Sequence, residues 1–469
     1  AIKKEPDSIL ESARSYRSPD ISTKHWLAGT VPIIIYLSNP TPSTHLFPEV
    51  IMNRPSVLFL TYIAFSIPFF IYAQRTTAGD WPQWRCDAGH TASSPDDLPD
   101  DLYPQWEHRF AQRTPVWDDP LNRDMMQFDR IFEPVIADGR LFISFNDSDK
   151  VVALDVESGE ELWSFFTDGP VRFAPVVCND NVYFTSDDGC LYCVAADDGS
   201  LQWRFRGGPS ERKVIGNRRV VSSWPARGGP VVHDDTVYFA ASIWPFMGTF
   251  IHALDAKTGE LLWTNDSTGA EFQNQPHNAP AFAGIAPQGQ LAVAGDLLLV
   301  PGGRSLPAAL NRHTGELTFF SFGDKGQGGS FIAAAGRRMF VHTRRRETVE
   351  IELKDGKVGK FRVNEPVLDG ETIYAAISND ANNAAIAAFN PENKIIWQIK
   401  ADASGDLIRS GTRLYAAGGG AITAVNLPGK NKPKAAPSVA WKIPIEGKVL
   451  RLISGCNHLI AVTLDGRII

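Results

Sequence analysis

A phrase that returns at intervals of a few dozen residues constrains this chain more than any single residue does. Ala153–Trp163 reads ALDVESGEELW, Ala253–Trp263 reads ALDAKTGELLW, and Cys193–Trp203 reads CVAADDGSLQW. Ala309–Phe319 reads ALNRHTGELTF, with phenylalanine at the tryptophan place, and weaker copies end near Phe361, Trp397 and Trp441. Fixed-period self-similarity of this kind marks a repeat architecture, in which one unit cannot bury its own faces and must stack on its neighbours. Each unit has short stretches of alternating apolar residues, such as Val182–Thr185 and Leu191–Ala195, separated by tight Asp/Gly turns. Such stretches are half-buried strands. A closing indole is large enough to wedge between adjacent sheets.

The repeat aromatics are Trp106, Trp163, Trp203, Trp263, Phe319, Phe361, Trp397 and Trp441, separated by 57, 40, 60, 56, 42, 36 and 44 residues. The short gaps match one four-stranded sheet, and the long ones a sheet plus an insertion. The predicted fold is therefore all-β: an eight-bladed β-propeller of four-stranded antiparallel blades. Seven blades is the alternative, because Phe361 is the weakest copy. Trp106 sits in a final strand (104–110) with no early strands before it, and 446–469 supplies early strands with no final one. Pairing of the two closes the ring and hides both sheet edges. Ile469 falls in mid-strand, which suggests a downstream continuation.

Met52-Asn53-Arg54 precedes an uncharged run, Val57–Ala73, followed by small residues. This reads as a signal peptide over 52–78, with a retained anchor as the alternative. Residues 1–51 read as an upstream extension, and 79–469 as the propeller. No lipobox cysteine follows the apolar run. The expected location is periplasmic or secreted, with membrane contact only through the N-terminal signal or anchor. A net charge of −7 argues against a nucleic-acid partner. Of the five cysteines, Cys190 and Cys193 form a lone CxxC in a strand-like run. They are expected to point to opposite faces of that strand; a Cys178–Cys190 disulfide is the rival.

The ALDxxTGxxxW units resemble the pyrroloquinoline-quinone (PQQ) repeat family. It includes quinoprotein alcohol dehydrogenases and the propeller lipoprotein of the outer-membrane β-barrel assembly machinery. Asp80–Pro95 (DWPQWRCDAGHTASSP) and the stretches RGGPSERK, WPARGGPVV and QPHN resemble secreted planctomycete-type repeat proteins. The dehydrogenase branch implies PQQ and calcium on the axis, under a disulfide of adjacent cysteines. This chain has no adjacent Cys-Cys, no CxxCH and no Glu–Asn–Asp set that aligns. No cofactor and no metal site are therefore expected, with PQQ and calcium as the alternative.

Loop lengths carry the functional expectation. With strands A to D counted outward from the axis, D-to-A crossings and B-to-C hairpins emerge on one face. The long segments 111–130, 207–228 and 266–290 are D-to-A crossings, and 242–248 and 302–307 are B-to-C hairpins. Binding residues concentrate on long loops carried by a rigid scaffold. The candidates are Arg212, Trp224, Arg227, Trp244, Gln275, His277, Asn278 and Arg304, chosen because arginine forks and aromatics suit anions, sugars or peptides. The expected role is a non-catalytic, monomeric scaffold binding a protein, peptide, anion or sugar at this face. The rival roles are a quinoprotein-like oxidoreductase and a module of a larger enzyme with a C-terminal catalytic domain.

Overall fold

A computed structural model describes residues 79–469, apart from 118–124, 217, 270, 275–277, 304, 321–326, 344–346, 378–383 and 430–434. The leader and upstream extension expected over 1–78 lie outside these. The strands assemble into eight blades. Blade 1 runs from Val135 to Phe166, blade 2 from Val176 to Arg206, blade 3 from Gly228 to Asn265 and blade 4 from Ala292 to Phe319. Blade 5 spans Gln327–Val363, blade 6 Val367–Ile399 and blade 7 Asp406–Pro444. Blade 8 takes three strands from Val449–Ile468 and its outermost from His108–Arg109. That closing strand pairs antiparallel, His108 with Ile468 and Arg109 with Arg467.

The repeat is legible in the packing. The indole of Trp163, on the outer strand of blade 1, donates to the Ala196 carbonyl in the C-to-D turn of blade 2 at 2.9 Å. The same bond runs from Trp106 to Val156, Trp203 to Ala256 and Trp263 to Arg312. Blades 8, 1, 2 and 3 thus each hook the turn of the next. The turn glycine follows from this hook: Gly315 has φ +74°, and a Cβ there would lie 2.5 Å from the Trp263 ring. The core is distributed in layers between blades. Phe142 and Val151 of blade 1 pack with Val182 and Phe184 of blade 2, and Tyr183 and Leu191 of blade 2 with Phe239 and Leu254 of blade 3. Cys190 and Cys193 fall in these two different layers, on opposite faces of one strand, and all five cysteines are free.

Residues 79–94 form a ribbon around the inner ring, bonded to every blade in turn. The Gly79 carbonyl accepts from Cys456 of blade 8. Trp81 exchanges two bonds with Ile136 of blade 1, and Pro82 accepts from Val177 of blade 2. The Gln83 amide bridges both main-chain groups of Val232 in blade 3. Ala88, Gly89, Thr91 and Ala92 then accept from Val293, Ala334, Leu368 and Arg409 of blades 4, 5, 6 and 7. All eight anchor points sit where the innermost strands run into their A-to-B turns. The ribbon therefore closes the axis on the short-turn face and leaves it open on the other.

The long segments share that open face. The 207–228 crossing folds into a hairpin, Lys213–Gly216 against Arg219–Ser222. Arg219 of this hairpin reaches Asp149 and the Asp147 carbonyl, in the B-to-C hairpin of blade 1. The 266–290 crossing forms a second hairpin, Glu271–Asn274 against Pro280–Ala283, which rests on the Pro245–Met247 turn of blade 3.

Candidate functional site: the axial funnel and its loop-rich mouth

Eight innermost strands converging on an axis leave a funnel, and with the ribbon as floor it becomes a cavity of about 460 Å³. Trp84, Phe128, Phe173 and Phe331 supply its aromatic wall. At its base lie Glu133, His342, Glu365, Asp406 and Arg451, with Arg85 of the ribbon beneath them. Each comes from a different part of the chain, so only ring closure brings them together.

The base is an ion network. Arg451 grips Glu133 through two bonds of 2.7 and 3.1 Å and lies 3.3 Å from Asp406. Arg85, only 1% exposed, sits 3.4 Å from Glu365 and 3.5 Å from Asp406 and donates to the Pro366 carbonyl at 2.6 Å. Glu133 also accepts from the Trp84 indole, and Asp406 from the main-chain amides of Leu407 and Leu452. A buried charge needs such partners, because desolvation costs several kcal/mol per ion. Burial raises the Glu133 and Asp406 carboxyls despite their arginines, and burial lowers the Arg85 guanidinium. Glu365 behaves differently. Burial pushes it up, but the His342 bond at 2.9 Å and the two arginines outweigh this and hold it at about 2. About a third of its side chain (34%) stays accessible, more than that of Glu133 or Asp406 in the same network.

These residues suit an internal salt network better than a metal. A hard divalent cation takes six or more oxygen ligands. Among the described residues no group of three His, Cys, Asp or Glu is poised to hold one. The converging carboxylates already face Arg85 and Arg451, so an ion entering their midst would have to displace a guanidinium. Among the described residues this donor set does not fit a calcium ion.

The structure separates the sequence-predicted residues. Arg212 is exposed on the first hairpin. Trp224 is half-buried, its indole donating to the Met247 carbonyl at 2.9 Å. Trp244 is 44% exposed and packs beside Phe246. Asn278 is exposed at the tip of the second hairpin, with φ +63°. Arg227 lies beneath the loops, 1% exposed, with two 3.0 Å bonds to Asp187, which Arg172 also grips. A guanidinium at that depth is committed to its counter-ion. Gln275, His277 and Arg304 lie outside the described residues. Sequence reasoning missed the whole funnel base and the ribbon; the one available signal was that Asp80–Pro95 matches no repeat unit.

The profile of the family described as "Outer membrane protein assembly factor BamB" matches residues 106–243 and 247–360, more than half the chain. The chain belongs to this family. It is a BamB-like, PQQ-type propeller repeat protein. It is similar to the dehydrogenase subunit of a quinone alcohol dehydrogenase from Gluconobacter oxydans, 31% identical over 142 residues, which cover 28% of this chain and 18% of that protein. It is also similar to a tetrathionate hydrolase from Acidithiobacillus ferrooxidans, 27% identical over 157 residues, covering 33% of this chain and 29% of the relative. The chain thus spans less than a third of the length of these curated relatives. Among solved structures it resembles a quinohemoprotein alcohol dehydrogenase from Comamonas testosteroni, with a TM-score of 0.52 at 14% identity, covering 82% of this chain and 77% of that one. That likeness concerns the fold. Among the described residues no helix is long and apolar enough to cross a membrane.

Proposed function

We propose that this BamB-like propeller is a periplasmic or secreted binding scaffold that takes a protein partner on its loop-rich face. One observation carries the reading: large apolar side chains stand in solvent on that face, on the elements added to the repeat. Ile215 is 85% exposed, Phe246 64% and Val220 56%, and Phe272 and Trp244 are exposed beside them. Scattered apolar residues are ordinary, but a group raised on adjoining hairpins over a rigid base is the anatomy of an interface. Arg212, Trp224, Trp244 and Asn278 are its proposed polar and aromatic contacts. The leader at 52–78 would deliver it.

The rival reading, a quinone-dependent oxidoreductase, draws on the alcohol dehydrogenase relatives and the axial cavity. The full chain is incubated with PQQ and calcium, desalted, and assayed for retained quinone absorbance and for dye reduction with alcohols. In parallel, Trp244→Ala/Phe246→Ser is compared with the unaltered chain for cross-linked partners in an extract of the native host. The scaffold reading expects no retained quinone and a loss of cross-linking in the variant. Stoichiometric quinone with dye reduction overturns it.

A further inference from the structure

The hairpin in the 207–228 crossing is built asymmetrically. Register places Val214 opposite Val221 on one face and Ile215 opposite Val220 on the other. Val221 is 4% exposed and turned to the body, Val214 beside it is 40% exposed, and the Ile215–Val220 pair stands furthest into solvent, at 85% and 56%. The two edges differ as well. The Arg219–Ser222 strand is tied down: Ser222 donates to the Asp187 carbonyl at 2.8 Å, and Arg219 is held by Asp149. The Lys213–Gly216 strand has no further strand beside it among the described residues. An anchored strand with an open edge and apolar side chains is a template for one more strand.

Charge selects the occupant. Arg212, Lys213 and Arg218 are exposed around this edge, and the nearby acid Glu211 is taken by Arg206 at 2.9 Å. The hairpin is a cationic spot on a chain of net charge −7. A second copy would set the same cations against one another, whereas an acidic partner would be attracted. We propose that an extended segment of a partner protein, alternating apolar and acidic side chains, adds to the Lys213–Gly216 edge as a third strand. This rests on the scaffold reading and names the chemistry of its partner.

The probe is a short fluorescein-labelled peptide alternating glutamate and valine, titrated into the full chain and read by anisotropy. Three comparisons accompany it: a lysine–valine peptide, the glutamate–valine peptide with alternate main-chain amides methylated, and the variant Ile215→Glu/Val220→Glu. Expected are binding that weakens with salt, loss of binding on methylation, and weakening of roughly tenfold or more in the variant with an unchanged melting curve. Equal binding of the methylated or the lysine peptide, or no binding at all, overturns strand addition. If strand addition fails while Trp244→Ala/Phe246→Ser still loses its cross-linked partner, the scaffold reading stands and only the mode of recognition falls. If both fail, both fall.

Discussion

The two faces of the disc are built from the same strands and do opposite things. On the short-turn face the ring is tied together: indoles of four blades hook successive turns, and the ribbon bonds to each of eight blades. On the loop-rich face the crossings lengthen into hairpins that raise Ile215, Val220 and Phe246 into water. The difference shows how a repeat protein separates stability from recognition. Residues that recur with the period hold the ring, and residues that break the period are released to meet something else. The funnel base lies between these extremes, a non-repeating cluster whose charges are spent on one another.

That contrast can be broken by substitutions on each level. The largest effect is expected at the funnel base. Arg451→Met strips Glu133 and Asp406 of their shared cation and should cost about 3–5 kcal/mol, read as a lower urea midpoint. Adding Glu133→Gln should recover part of the loss. On the short-turn face, Gly315→Ala meets both a positive φ and the Trp263 ring. It should cost roughly 1–3 kcal/mol, measured the same way, and leave partner binding untouched.

Acid should probe the ribbon next. His90 is buried against the Ile332 carbonyl, and burial lowers it to about 3 from an ordinary value near 6.5. Above that ordinary value both folded and unfolded chains carry neutral imidazole, and His90 gives no pH dependence. Below it the unfolded chain takes up a proton that the folded ribbon refuses, so stability falls progressively toward pH 3. Glu365 has the depressed-carboxylate sign: its contribution is present above about 4.5 and is lost as pH falls toward 2. Melting temperatures across pH should therefore show two windows. His90→Gln should flatten the slope from about pH 6.5 down to 3, and Glu365→Gln the part below about 4.5. A profile unchanged by His90→Gln would mean that this imidazole takes up its proton alike in the folded and unfolded chains. The smallest stability effect belongs to the loop-rich face. Ile215→Ser and Phe246→Ser should stay within about 0.5 kcal/mol of the parent while changing partner capture. A large destabilisation there would erase the contrast between the faces.

The fold was readable because its determinants are local. Ala153–Trp163 holds a strand, an Asp turn, a glycine and the docking indole, and each does in the structure what its residue type dictates. Asp255 accepts from Thr258, Gly315 makes room for Trp263, and Trp163 finds the next blade's carbonyl. Even Phe361, the weakest copy, lies on the outer strand of blade 5. The loop-rich face followed from strand counting alone, and its two hairpins do share one face.

The sequence by itself determined a closed ring of four-stranded blades and the face on which its elaborations stand, because an alternating strand, a tight turn and a wedge-shaped indole act over a few residues. Only the tertiary structure decided that Arg227 serves Asp187 beneath the loops, while Arg212 stays in water. It also decided that Arg85, Glu133, Glu365, Asp406 and Arg451 form one network, and that sixteen residues before the first blade seal the axis. Some of these contacts, Arg85 to Asp406 and Glu133 to Arg451 among them, join residues more than three hundred positions apart, and no spacing along a chain encodes them. They exist because closing a ring brings the inner strand of every blade to the same axis.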